Sequence, residues 1–175
     1  LLKIGFDSVF EVSAAAELVS AYTRLYLKTD GVKKPAISSA CPVVTRLIAL
    51  RFRSLMDNII HMLPPMEVAA DLARQKAKRE HPELLDSDIG VCFISPCPAK
   101  NSYVKNGFAG YESQVDVVVS ISDIYFELLN HMKRELPVNT ISRSGVIGIS
   151  WATSGGESAA LFNEPVFATS TAYFI

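Results

Sequence analysis

Two of the chain's three cysteines stand directly before a proline: Cys41 in SSACPVVTRL (38–47) and Cys97 in ISPCPAK (94–100). Each follows a short apolar run, so each thiol is expected at the end of a strand. Proline suits the first position of a helix, where its missing N–H costs nothing. Cys41, just before Pro42, would then lie at the positive end of a helix dipole, which favours an anion. A thiolate so placed can hold a soft metal or an iron–sulfur cluster. Lys100, three residues past Cys97, would bring a positive charge beside such an anionic centre.

Free cysteines also serve as small buried hydrophobes, and that is the reading for Cys92 inside the apolar run IGVCFI (89–94). For Cys41 and Cys97, spacing alone leaves both readings open. Two thiols do not complete a zinc or cluster site, which takes four ligands. The histidines do not make up the number: His61 and His131 fall on expected helices, and His81 ends one before Pro82.

The elements that would position these residues can be read from periodicity and breakers. VFEV (9–12) suits a short strand, and Ser13 then precedes a helix with Ala15, Leu18, Tyr22 and Leu25 at helical spacing. PAISSA (35–40) reads as a brief strand stopping at Cys41, and Pro42 opens a helix with Val44, Leu47, Ile48 and Leu55 on its apolar face. Pro65 starts another helix, MEVAADLARQKAKREH, which His81-Pro82 ends. IGVCFI and VDVVVSIS (115–122) read as strands covered on both faces. KNSYVKNGFAGYES (100–113) reads as a polar loop, DIYFELLNHMKREL (123–136) as a helix, and VIGISWA (146–152) as a strand entering a Gly155-Gly156 turn. Strands alternating with helices imply an α/β fold with a mainly parallel sheet. In such sheets ligands collect beyond the carboxyl ends of the strands. Cys41 and Cys97 would then emerge on one sheet edge and face one cavity.

A chain of 175 residues is one domain, 1–175, with approximate lobes 1–100 and 101–175. It can bury about 70% of its unfolded surface without disulfide staples. Hydrophobic residues make up 49%, charged residues 20%, and the net charge is −1, which gives no electrostatic reason to expect nucleic acid or an anionic membrane as partner. No apolar run reaches the length of a membrane span. Three unevenly spaced cysteines make no disulfide framework, so a reducing cytoplasm is the expected location. The chain opens on LLKIGFDSVF without a starting Met and closes on AYFI. Both ends read as cut from something longer, and an apolar surface prone to self-association is expected.

SSACP with VTRLI behind it, PPMEVAADLA, ISPCPAK, GFDSVFEVSAAAEL and WATSGGESAAL together resemble the catalytic domain in the large subunit of iron-only ([FeFe]) hydrogenases and their non-catalytic relatives. The likeness runs through nearly the whole chain in the expected order. It implies a two-lobed α/β fold, with a small parallel or mixed sheet in each lobe flanked by helices. In the family, the first motif runs Thr-Ser-Cys-Cys-Pro and the second Met-Pro-Cys-x-x-Lys-x-x-Glu. The resemblance makes Cys41 and Cys97 ligands of a [4Fe–4S] cluster, and makes Lys100 the lysine that hydrogen-bonds a cyanide ligand of the di-iron centre.

The departures from the pattern are as informative. Ala40 stands where the hydrogenases carry the cysteine that delivers protons, Ser95 replaces the methionine of the second motif and Tyr103 its glutamate. Tyr22 and Thr23 fall where an acidic pair starts the proton path, and the third motif, which supplies the last two cluster ligands, is missing. Hydrogen activation needs an open metal site and a poised acid. The expectation is therefore an iron–sulfur module that senses or transfers electrons beside other iron–sulfur or signalling domains of the same protein. Its [4Fe–4S] cluster would be absent or incomplete in this chain alone, with no di-iron centre. Part of a catalytic hydrogenase, or a cluster-free interaction domain, are the alternatives.

Overall fold

The computed structural model describes residues 1–107, 111–132 and 144–162. Seven α-helices occur among them: α1 Val12–Tyr26, α2 Pro42–Arg51, α3 Pro65–Glu80, α4 Pro98–Asn106, α5 Ile121–Met132, α6 Val146–Ser150 and α7 Gly156–Phe162. Two strands, β1 Cys92–Ser95 and β2 Val117–Ser120, pair in parallel with Cys92 opposite Val117 and Ser95 opposite Ser120. The chain divides into two compact units, Leu1–Phe10 with Ala69–Ile141, and Glu11–Val68 with Ser142–Ile175. Each unit takes two stretches of sequence. The architecture is the α/β one anticipated, but helix-rich, with one small parallel sheet among the described residues.

In the unit that contains the sheet, β1, α4 and β2 form a β–α–β crossover, and α4 packs on β2. Arg74 of α3 clasps the amino ends of both strands. Its Nε donates to the Gln114 carbonyl at 3.1 Å and Nη1 to the Ile89 carbonyl at 2.6 Å, while Nη2 pairs with Asp116 at 2.5 Å. The same Asp116 oxygen accepts the Val91 N–H at 2.6 Å. These bonds join two strands of four residues each, too short to stand alone as a sheet. The carboxyl ends at Ser95 and Ser120 are left to carry the turns that follow.

In the other unit, α1 packs against α6 and α7. Its buried side consists of Ala15, Ala16, Ser20 and Thr23. The two hydroxyls bond back to the helix, Ser20 Oγ to the Ala16 carbonyl at 2.8 Å and Thr23 Oγ1 to the Val19 carbonyl at 2.7 Å, so they are buried without an unmet polar group. This corrects the expected apolar face. Of its four residues only Ala15 is buried, while Leu18, Tyr22 and Leu25 are 55%, 65% and 64% exposed. The physical reason is close approach. A Cβ built on Gly148 of α6 would lie 2.3 Å from the Ser13 carbonyl oxygen of α1, so only small residues fit along that contact.

Other expectations are revised by the same packing. VIGISWA is not a strand: Val146–Ser150 is helix α6, and the β-preference of Val146, Ile147 and Ile149 yields to the contact made by Gly148. The anticipated polar loop begins with helix α4, which Pro98 opens and Gly107, at φ 63°, ends; residues 108–110 lie outside the described residues. VFEV forms no strand, and Glu11 is the extended residue that leads into α1. PAISSA contributes a single parallel bridge, Ile37 to Ile59, so no second sheet forms among the described residues. Helix α2 stops at Arg51, and Leu55 lies in a 3-10 turn, Arg53–Asn58. His61 lies on no helix, between the Ile59 bridge residue and Pro64. The Gly-Gly turn is present: Gly155 has φ 74°, and Gly156 begins α7. The last residues of the helix expected over 123–136 fall beyond Met132, outside the described residues.

Candidate functional site

Cys41 is the N-cap residue of α2, with Pro42 at the first helical position, and Cys97 is the N-cap residue of α4, with Pro98 there. Their backbones are nearly the same, φ −99°, ψ 109° at Cys41 and φ −107°, ψ 113° at Cys97. The repetition has a local cause. A residue before proline is driven into the extended region, and a residue preceding a helix takes that conformation as its N-cap. Neither thiol sulfur serves as a helix cap. Both cysteines are free; Cys41 is exposed and Cys97 half-buried.

Each turn is built from the serine in front of it. The Cys97 N–H donates to Ser95 Oγ at 3.1 Å, and Ser95 is 3% exposed at the end of β1. The Ala40 N–H donates to Ser38 Oγ at 3.2 Å, in the same two-residue turn one position earlier. Ser39 Oγ donates to the Met62 carbonyl at 2.6 Å, and Ser38 Oγ donates to Glu157 of α7. Beyond the cysteine, Thr45, 2% exposed, donates both its N–H and its hydroxyl to the Cys41 carbonyl, at 3.1 and 3.3 Å. These contacts hold the backbone of each turn and leave the sulfur as the side-chain group not used in capping. Ser38, Ser95 and Glu157 were not read as functional in the sequence. The Ser-x-Cys spacing of the second turn was the signal that could have found Ser95.

Lys100 occupies the first turn of α4, half-buried, and its N–H donates to the Cys97 carbonyl at 3.1 Å. Tyr103, one turn on, shares that helix. The thiol of Cys92 is pushed above its ordinary value by burial, as expected of a small hydrophobic residue and not of a ligand, although the residue is only half-buried. Cys97 does follow a strand. Cys41 follows the isolated Ile37–Ile59 bridge and not a strand of the β1–β2 sheet, so the two cysteines do not share one sheet edge. The Ile37 bridge is fixed by two bonds, Ile37 N–H to the Asn58 carbonyl and Ile60 N–H to the Ile37 carbonyl, both 2.8 Å.

The donor set matches an iron–sulfur cluster in kind and falls short in number. Cluster iron takes thiolates, four for a [4Fe–4S] centre. Cys41 and Cys97 are free cysteines at helix N-caps, and among the described residues no group of three or more His, Cys, Asp or Glu is placed to hold a metal ion.

Similarity to known proteins agrees with the local chemistry. The sequence profile of the iron only hydrogenase large subunit, C-terminal domain, matches residues 1–167. [FeFe]-hydrogenase HydA1 from Chlamydomonas reinhardtii, in a glutamate-to-glutamine variant, is 19% identical with a TM-score of 0.62, over 78% of this chain and 36% of that one. The apo form of HydA1 in a cysteine-to-histidine variant is 17% identical with a TM-score of 0.61, over 78% and 36%. An [FeFe]-hydrogenase structure concerned with oxygen inactivation through modification and degradation of the H cluster 2Fe subcluster is 17% identical with a TM-score of 0.61, over 78% and 37%. The chain thus spans little more than a third of the length of these structures, and at such identities the likeness is one of fold. No curated protein matches the sequence. With its two Cys-Pro turns on this scaffold and a profile match that covers nearly its whole length, the chain belongs to the family formed by the C-terminal domain of the iron-only hydrogenase large subunit.

Proposed function

We propose that this chain is part of an iron–sulfur module in which Cys41 and Cys97 are two ligands of a [4Fe–4S] cluster, used in redox sensing or electron transfer and not in hydrogen chemistry. One observation carries the reading: both cysteines are extended N-cap residues before a proline, in turns organised by serine hydroxyls. Such a cluster, when bound, supplies one-electron redox chemistry. The chain's own part is to present two sulfurs at helix N-caps, the ligand type that cluster iron takes. Lys100, in the first turn of α4, would add positive charge near that centre. Three free cysteines suit a reducing cytoplasm, and no helix among the described residues is long and apolar enough to cross a membrane. Other iron–sulfur or signalling domains of the same protein are the partners this role calls for.

The hydrogenase alternative lacks its proton route. The Ala40 methyl neither takes nor gives a proton. At the start of the path Tyr22 is 65% exposed, and the Thr23 hydroxyl is bonded to the Val19 carbonyl and the Met62 sulfur. A cluster-free interaction role draws on a separate observation, the exposed Leu18, Tyr22, Leu25 and Phe126. The matured full-length protein separates the three. Cys97→Ala should abolish the brown cluster absorption, and hydrogen uptake with a dye acceptor should be absent in the wild type. Hydrogen uptake would favour the catalytic alternative, and an iron-free, correctly folded wild type the interaction one.

A further inference from the structure

The turn that carries Cys41 is tied to a helix more than a hundred residues away in sequence. Ser38 Oγ donates to the Glu157 carboxylate in the first turn of α7, and the same Oγ accepts the Ala40 N–H at 3.2 Å. One hydroxyl therefore links a carboxylate to the amide next to Cys41. A hydrogen bond to a charged acceptor is stronger than one between neutral groups, and its donor is held more firmly in one rotamer. The far end of this link does not give easily. A Cβ on Gly156 would lie 2.0 Å from the Ser150 carbonyl oxygen, so the start of α7 is pressed against the chain before it. Further along, Arg24 Nη1 of α1 donates to the Ala160 carbonyl at 2.7 Å, and Ala160 is 3% exposed. Helix α7 is thus a fixed post, and Glu157 is the group it extends to the cysteine turn.

We infer that Glu157 is a positioning residue, which acts through Ser38 to set the conformation in which Cys41 presents its sulfur. As a statement about a cluster ligand the inference rests on the function proposed above, but the mechanical link can be measured without iron. The companion bond from Ser39 to the Met62 carbonyl holds the next residue of the turn. With Ser38 released, one of these two anchors is lost and the sulfur samples a wider range. Cys97 has no part in this link, because its turn is organised by Ser95.

The test is the alkylation rate of each cysteine in the iron-free full-length protein, read by mass spectrometry of the labelled peptides. Losing a hydrogen bond to a charged group should speed labelling of Cys41 by about fivefold or more in Glu157→Ala and in Ser38→Ala. The rate at Cys97 should stay at its wild-type value. Because the two residues act as one link, the double variant should be no faster than either single one. Ser38→Thr, which keeps the hydroxyl, should restore the wild-type rate. Unchanged rates at Cys41, additive effects in the double variant, or equal acceleration at Cys41 and Cys97 would each overturn the inference. The cluster reading is judged separately by iron content, so either idea can fail while the other stands.

Discussion

At the scale of single residues, the chain distinguishes three thiols by where the backbone puts them. Cys41 and Cys97 stand at helix N-caps with proline behind them, while Cys92 begins a short strand. Burial pushes the Cys92 thiol above its ordinary value of 9.0. The unfolded chain therefore releases this proton before the folded one does, and stability falls as pH rises from that ordinary value through the raised one. Alkylation of Cys92 as a function of pH should show a midpoint displaced upward from that of the urea-unfolded chain. Coincident midpoints would contradict the assignment of Cys92 as a packed residue. The sequence made this division legible, because a thiol inside IGVCFI and a thiol before proline have different backbones to answer to. It did not reveal Ser95, Ser38 or Glu157. Two of these act through turns only two residues long, and the third is brought in by tertiary folding.

At the scale of elements, helix starts were the most legible feature. Pro42 and Pro65 each open a helix as expected, because proline's fixed φ acts locally and needs no partner; Pro98 does the same for α4, where a polar loop was expected. The failures came where packing overrode propensity. Val146, Ile147 and Ile149 favour a strand, yet α6 forms because Gly148 lets that segment lie against the Ser13 carbonyl of α1. Glu17 then reinforces the contact by accepting the Gly148 N–H at 3.0 Å. The misread face of α1 has the same origin, since periodicity shows two stripes and bulk alone chose the wrong one. Gly148→Ala should therefore cost about 1–3 kcal/mol, the usual penalty for forcing a methyl into a filled contact. Urea unfolding of the variant measures it. A stability equal to that of the wild type would mean that α1 and α6 are not in the contact described.

At the scale of the whole molecule, the surface is the notable feature. Leu50, Phe126, Val146 and Phe162 are each at least 70% exposed, in addition to the outward stripe on α1. A net charge of −1 offers little repulsion to keep such surfaces apart. The isolated chain should self-associate, with a mass in light scattering that rises with concentration. A monodisperse monomer at high concentration would show that these residues are tolerated singly and form no adhesive patch.

The central claim is that Cys41 and Cys97 hold one cluster and that Cys92 does not. It is tested most directly by counting iron and acid-labile sulfide in the purified full-length protein with each cysteine changed to alanine in turn. The account predicts that Cys41→Ala and Cys97→Ala each lose the four irons of one cluster, while Cys92→Ala keeps them. Full iron content in either of the first two variants, or its loss in the third alone, would contradict it.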